Sequence, residues 1–297
     1  EDVLEKVRQH YVSTTEALDE KCIKAALYRL EDESKLKEML DATLVSSIPA
    51  VVFGVFQEDK EGCVVDFANK RLGGGWLSYG MVQEEKMFIE RFDYGALCAR
   101  SLLEMPRSPL EEPVASPFSM KQDEAWLLVG GLRYADVPWY GRTPKDGLQR
   151  LQCVSPADDD APPTVLAIDA IKADFKKYEK AHLFMMLVKA YVGFAAAKED
   201  PDLGGATCIS TGSWGCGAFY NNERVMFVVQ ALAANLAGVN LMYHSLGDGL
   251  SLTPAFQFLE EALCKKASIG QVLESLAQKC AEDPAWESKW RPPKSRL

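Results

Sequence analysis

The sequence predicts a layered α/β domain, on three observations. Short runs rich in Val, Ile and Phe, bounded by turn residues, alternate with longer stretches of helical period. Of the 297 residues, 47% are hydrophobic and 26% charged, the balance of a soluble chain able to bury a large core. Three successive glycines, Gly73, Gly74 and Gly75, join a strand-like run to a helical one, a common position for a loop that wraps a phosphate or a ribose.

Taken in order, residues from Val3 to Ser46 follow a helical period, through Val3, Leu4, Val7 and Tyr11, then Ile23, Ala26, Leu27 and Leu30, then Leu36, Met39 and Leu40. They predict a helical accessory segment over 1–48, closed by Pro49. Ala50 to Phe56 reads as the first core strand and Cys63 to Phe67 as the next. Four prolines between Met105 and Ser119 exclude helix and strand there. Trp126 to Val129 reads as a buried strand ended by Gly130-Gly131, Leu151 to Pro163 as a surface excursion, and Thr164 to Ile168 as a further strand. Helical period returns from Ile171 to Ala197, with a break near Glu179 to His182. Thr207 to Ser210 reads as a strand, Arg224 to Ala237 as a helix and Val239 to Tyr243 as a strand. Two helices follow, Pro254 to Lys265 and Ile269 to Cys280. The main domain is expected over 49–283, and a tail over 284–297, with no regular period, is expected to pack loosely.

The formal net charge of -10 opposes tracking along a polyanion by counterion release, so no DNA binding is expected. Eight cysteines without a CxxC pair point to buried thiols in a reducing intracellular compartment, nucleus or cytoplasm. His10, His182 and His244 lie far apart, and no zinc-ligand spacing is present, so no metal is expected. The apolar run from Val225 to Tyr243 is interrupted by Gln230, Asn235 and Asn240, which argues against a membrane span. A monomer is expected. The chain opens on Glu1 with nothing like a signal peptide, so a targeting signal is expected to lie outside it.

The most informative stretch runs Asp66-Phe-Ala-Asn69, then Gly73-Gly-Gly75, then Gln83-Glu-Glu85. Three glycines in a row cost backbone entropy, which suits a loop with φ > 0 whose backbone approaches a ligand closely. Glu84 and Glu85, if they begin a helix, project about 100° apart and must divide their labour. Two solvated glutamates in a first helical turn would be the ordinary reading of that pair; the glycines at fixed distance argue against it. Thr211 to Phe219 is a second glycine loop, with Gly212, Gly215 and Gly217 just ahead of a helix, suited to amides that wrap a diphosphate.

This pattern resembles the signature of the poly(ADP-ribose) glycohydrolases. The resemblance continues in order through Val165–Ala170, Lys189–Phe194, Thr211–Phe219 and Leu246–Asp248, and covers roughly Ala50 to Cys280. It implies a macrodomain-like mixed sheet flanked by helices, with a short N-terminal helical layer. The implied reaction is hydrolysis of ribose–ribose O-glycosidic bonds in poly(ADP-ribose), mainly from chain ends, releasing ADP-ribose without a cofactor. The substrate would be poly(ADP-ribose) or ADP-ribosylated proteins. Glu85 is implied as general acid and base, a role that burial would favour by helping it hold its proton. Glu84 is implied to orient ribose hydroxyls, with Asp66 supporting the site and Asn69 binding the distal ribose.

Within the same resemblance, Gly73, Gly74 and Gly75 line the ligand and Gln83 supports the acids. Thr211, Gly212, Ser213, Gly215, Cys216, Gly217, Ala218 and Phe219 form the diphosphate loop, and Tyr140 is the aromatic clasp over the adenine, a mobile cover in a loop without period. Trp76-Leu77 stand where smaller residues are usual, and Ser213 where the family usually has Asn. Two other readings stay open: a reader that binds ADP-ribose without cleaving it, and a hydrolase of mono-ADP-ribosylated substrates.

Overall fold

Hydrophobic side chains point alternately to opposite sides of the central strands, so both faces of the sheet need cover. The structure, a computed structural model, describes residues 23–53, 62–76, 80–104, 118–155, 164–199, 205–245 and 249–289. Its strands are β1 (Lys24–Arg29), β2 (Ala50–Phe53), β3 (Cys63–Ala68), β4 (Gly80–Met81), β5 (Glu124–Val129), β6 (Ala135–Asp136), β7 (Gly141–Arg142), β8 (Gln152–Cys153), β9 (Thr164–Asp169), β10 (Cys208–Gly212) and β11 (Asn240–Ser245). Seven of these form one sheet in the order β1-β5-β9-β3-β10-β11-β2, while β4 pairs with β7 and β6 with β8. β9, β3, β10, β11 and β2 run parallel, and β5 and β1 close one edge antiparallel.

Cys63, Val65, Leu166, Ile168 and Ile209 face a core covered by the helices Glu33–Ala42, Lys180–Glu199, Glu223–Ala237, Thr253–Cys264 and Ile269–Glu282. Val64, Ala68, Val165, Ala167 and Leu128 face the opposite core, under the helices Gln83–Glu90 and Phe92–Glu104. Fully burying each large side chain of this kind contributes about 1.5–3 kcal/mol before cavity terms. The Lys180–Glu199 helix is long and apolar enough by composition to cross a membrane. Its apolarity has a packing cause, since it lies against β5, β9, the Glu223–Ala237 helix and the Ile269–Glu282 helix.

The sheet changes direction of travel between β3 and β10. From β3 the chain crosses by the Gln83–Glu90 and Phe92–Glu104 helices to β5, and from β10 it crosses the other face by the Glu223–Ala237 helix to β11. β3 pairs with β9 along its whole length, but with β10 only at Cys63 and Val64. The two strands therefore part before their carboxyl ends and open a crevice at the topological switch point, where open α/β sheets hold their ligands.

Three expectations need correction. Ile23 to Leu30, read as helix, is dominated by β1, which is hydrogen-bonded along β5 and is built into the sheet. Ile171 to Glu179 is irregular, because its backbone groups are engaged elsewhere: Ala173 N–H donates to Phe219 O at 2.8 Å and Ile171 O accepts from Asn221 Nδ2 at 2.8 Å. The start of the tail is packed: Trp286 is buried, and the Lys289 amide donates to Tyr220 O at 2.9 Å. The expected helix before Ile23 and the Leu246–Asp248 block lie outside the described residues.

Candidate active site

At the crevice, Asp66 shares the face of β3 that carries Val64 and Ala68, beneath the Gln83–Glu90 helix. Where β10 diverges, the side-chain amide of Gln83 takes the place of a strand. Its Oε1 accepts from Phe67 N at 2.8 Å and its Nε2 donates to Val65 O at 3.1 Å. These two backbone groups flank Asp66 and would otherwise be left without a ladder partner. Gln83 thus fixes the first turn of the helix against β3, which sets where Glu84 and Glu85 point.

The glycine loop then closes over both acids. Glu84 Oε1 accepts from Gly73 N at 2.7 Å and Oε2 from Asn69 N at 2.9 Å. Glu85 Oε1 accepts from Gly75 N at 3.2 Å, and its Oε2 from Val82 N at 3.0 Å. Gly73 and Gly74 have φ of +89° and +51°, so the turn uses the conformations glycine permits. A Cβ on Gly74 would lie 2.4 Å from Glu84 Oε2 and 2.9 Å from Glu85 Oε1, so the pair packs directly on bare backbone there. The loop expected to touch a ligand directly is first of all a cradle for carboxylates.

Asp66 is 0% exposed, Glu84 2% and Glu85 9%, which rules out two solvated glutamates and leaves Glu85 the most accessible of the three. Neither Asp66 oxygen has a hydrogen-bond partner among the described residues. Burial, reinforced by the charge of Glu85, holds the Asp66 carboxyl well above the usual carboxylate range. Burial and the charge of Asp66 raise Glu84 as well, against the pull of the Asn69 and Gly73 amides. Asp66, the carboxyl without amide donors, is thus the one least able to ionise.

Tyr140 stands beside the acids. β4 pairs with β7, Met81 opposite Gly141, which brings the preceding residue to the start of the Gln83–Glu90 helix. Burial of the hydroxyl end and the charge of Glu85 push the ionisation of Tyr140 up, against the pull of the Gln83 backbone. The residue as a whole is 66% exposed, so its ring offers an open aromatic face at the mouth of the crevice. Trp76 and Trp139 are buried; Trp76 packs on Phe88 and Phe92 in the core under the helix. Neither offers a stacking surface.

On the far side of the crevice the β10 loop is shaped from beneath. Thr211 Oγ1 donates to Gln230 Oε1 at 2.6 Å, and Gln230 Nε2 donates to Gly212 O at 3.1 Å. Asn221 donates from Nδ2 to Gly215 O at 3.1 Å and accepts from the Tyr178 hydroxyl at 3.1 Å. Gly215 has φ +69°, and a Cβ there would meet Ala170 Cβ at 2.5 Å. Ser213 donates to Glu223 Oε1 at 2.7 Å, at the first residue of the following helix. Gly217 and Ala218 are exposed, and their amides, with that of half-buried Phe219, take no acceptor among the described residues. Successive open amides are the donors that a backbone anion site requires. Burial pushes the Cys216 thiol up, so this loop contributes amides and no thiolate.

Gln230, Asn221 and Tyr178 were not singled out from the sequence. A signal existed for Gln230, an amide in an otherwise apolar helix, since a buried amide needs partners. Two sequence blocks also meet: buried Lys189 lies 2.5 Å from Asp169 Oδ1 and donates to Glu124 O at 2.8 Å, tying the end of β9 to the start of β5. A groove of about 560 Å³ between Lys198, Gly205 and Asn240 lies at the amino ends of the strands, remote from the acids.

Residues 116–251 match the family model of the poly(ADP-ribose) glycohydrolase catalytic region, described as a macro domain fold. That span contains Tyr140 and the β10 loop. Poly(ADP-ribose) glycohydrolase 1 of Caenorhabditis elegans is 27% identical over 267 residues, covering 84% of this chain and 32% of that protein. Poly(ADP-ribose) glycohydrolase 2 of the same organism is 27% identical over 198 residues, covering 62% of this chain and 37% of its own length. The chain thus spans about a third of the curated relatives it matches. Among solved structures, poly(ADP-ribose) glycohydrolase of Thermomonospora curvata bound to the inhibitor ADP-HPD is 18% identical, with 86% of this chain and 88% of that one covered and a TM-score of 0.45. The enzyme of Deinococcus radiodurans in complex with ADP-ribose is 15% identical, with 88% and 98% covered and a TM-score of 0.40. With its mixed sheet between helical layers, the chain is similar to the poly(ADP-ribose) glycohydrolases, through the matched residues 116–251 and through relatives 27% identical to it.

Proposed function

We propose that this chain hydrolyses the ribose–ribose O-glycosidic bond of poly(ADP-ribose) and releases ADP-ribose, with Glu85 as general acid and base. The observation that carries the reading is the carboxyl cluster at the switch point, two glutamates in a glycine cradle over a buried aspartic acid, facing a loop of open amides. A diphosphate on the amides of Gly217, Ala218 and Phe219 places the distal ribose toward Asn69 and Glu85. Glu85 gives its proton to the leaving ribose oxygen as the glycosidic bond breaks, and the bonding pair goes to that oxygen. The positive charge that develops on the anomeric carbon is stabilised by the neighbouring diphosphate. Water then adds to that carbon and returns a proton to Glu85. Glu84 holds the loop through Asn69 and Gly73, and protonated Asp66 spares the cluster a third negative charge. One carboxylate serves both halves, unlike the usual pair in glycosidases.

A binding module would have no use for an acid at the crevice, which favours hydrolysis over reading. Incubation with an automodified poly(ADP-ribosyl)ated protein, following free ADP-ribose, tests the proposal. Release of ADP-ribose by the parent and none by Glu85→Gln is the expected result. Tight binding of ADP-ribose without release would establish a reader, and release only from mono-modified protein would move the substrate to that class.

A further inference from the structure

The structure carries a buried polar cluster that the reaction itself does not use. Glu90, Arg91 and Asp93 are 4%, 2% and 6% exposed, at the carboxyl end of the helix whose first turn holds Glu85. Each grips the irregular segment that leads to Tyr140. Glu90 Oε1 accepts from Val137 N at 2.9 Å and its backbone O from Tyr134 N at 2.7 Å. Arg91 Nη1 donates to Gly131 O at 2.6 Å, and Asp93 Oδ2 accepts from Leu132 N at 3.0 Å. The segment is thus tied to the far end of the helix, while its tip returns to the near end through the β4–β7 pairing, Met81 opposite Gly141. Both ends of one helix hold it.

We infer that Glu90 is a positioning residue that acts through Tyr140, fixing the exposed ring relative to Glu85 so that ligand is clamped by a rigid arm. Burying a carboxylate is costly unless it is well bonded, so stability alone gives little reason for one here. The Glu90 carboxylate holds the Val137 amide, two residues past Ala135, and is bridged by Arg133, whose Nη2 lies 3.5 Å from Glu90 Oε1 and 3.2 Å from Asp136 Oδ1. The arm is therefore preorganised, and the ordering cost that a free loop would incur on binding is already met in the fold.

The inference rests on the proposed function, and the test separates the two. ADP-ribose binding is measured by calorimetry on the full chain for the parent, Glu90→Ala, Tyr140→Ala and the double variant, with melting temperatures alongside. Glu90→Ala is expected to lose affinity by about tenfold, close to the loss in Tyr140→Ala, and to cost nothing further in the Tyr140→Ala background. Glu90→Gln keeps an acceptor for the Val137 amide and is expected to stay within about twofold of the parent. If Glu90→Ala does not fold, Arg133→Ala, at a half-exposed position, is run through the same cycle and is expected to lose a smaller factor that likewise vanishes without the Tyr140 ring. Equal losses in both backgrounds, or a folded Glu90→Ala of parental affinity, overturn the inference alone. A parent chain that binds no ADP-ribose sinks the functional reading first.

Discussion

Gly74→Ala separates the carboxylate cradle from ordinary loop stability. The new Cβ would stand 2.4 Å from Glu84 Oε2 and 2.9 Å from Glu85 Oε1. A carbon and an oxygen rest at about 3.3 Å at the closest, so Glu84 must retreat by about 0.9 Å, or the loop must lift by as much. Glu84 cannot retreat freely, because Asn69 N and Gly73 N hold its two oxygens at 2.9 and 2.7 Å. The loop lifts, and Gly75 N leaves Glu85. Misplacing a catalytic group by about 1 Å can cost ~10²-fold in rate. The backbone adds its own cost, since φ +51° at this position penalises alanine by about 1–2 kcal/mol. That corresponds to a melting temperature lower by roughly 2–8 °C. ADP-ribose release from modified protein and a thermal melt are the two assays. A rate reduced by no more than severalfold in a protein that melts several degrees lower would refute the cradle and leave the glycine a purely conformational role.

Glu85→Gln should lower turnover by about 10²–10⁴-fold while ADP-ribose binding by calorimetry stays near that of the parent, because the amide keeps the shape but donates no acid proton; near-parental turnover would remove the assignment. Asp66→Asn should flatten the dependence of stability on pH. A carboxyl raised in the folded state above its ordinary value of 3.8 favours folding fully below that value and loses its contribution as pH rises, so the parent should lose up to about 1.4 kcal/mol per pH unit from this group above pH ~4. An Asn variant whose melting temperature falls with pH as steeply as the parent's would refute the protonated aspartic acid. Tyr140→Ala should weaken ADP-ribose binding by ~1–3 kcal/mol and Tyr140→Phe by less, read by the same calorimetry; unchanged affinity in Tyr140→Ala would leave the exposed ring without a role in binding. Gly215→Val should lower the melting temperature together with binding, since its side chain would strike Ala170 and Asn221 beneath the loop; loss of binding in a fully stable protein would place the effect at the ligand.

The parts of the site legible in the sequence are those that local chemistry dictates. A glycine run has few uses other than positive φ and close approach, so the cradle over Glu84 and Glu85 can be located before any fold is known. Tertiary pairing hides the rest. Ala25, Ala26 and Leu27 favour helix by propensity, yet the strand they form sends Ala25 toward one core and Tyr28 toward the other, and β5 supplies the ladder that overrides the preference. From Ile171 to Tyr178 the apolar spacing suits a helix, but the backbone there bonds Phe219 and Asn221, a demand that lies some fifty residues downstream and leaves no local mark.

The role of Gln83 shows why such a site resists reading one residue at a time. Its position before two glutamates suggests a side chain that hydrogen-bonds near the acids, and it does lie beside them. Its partners, however, are the backbone groups on either side of Asp66, left open because β10 turns away after Ser210. The divergence that creates the crevice creates the unsatisfied backbone, and one amide at the head of the helix satisfies it. That same bond orients the two carboxylates that follow in the chain. Opening the sheet for a ligand and aiming the acids at it are thus one structural event, and Gln83 is the residue on which both depend.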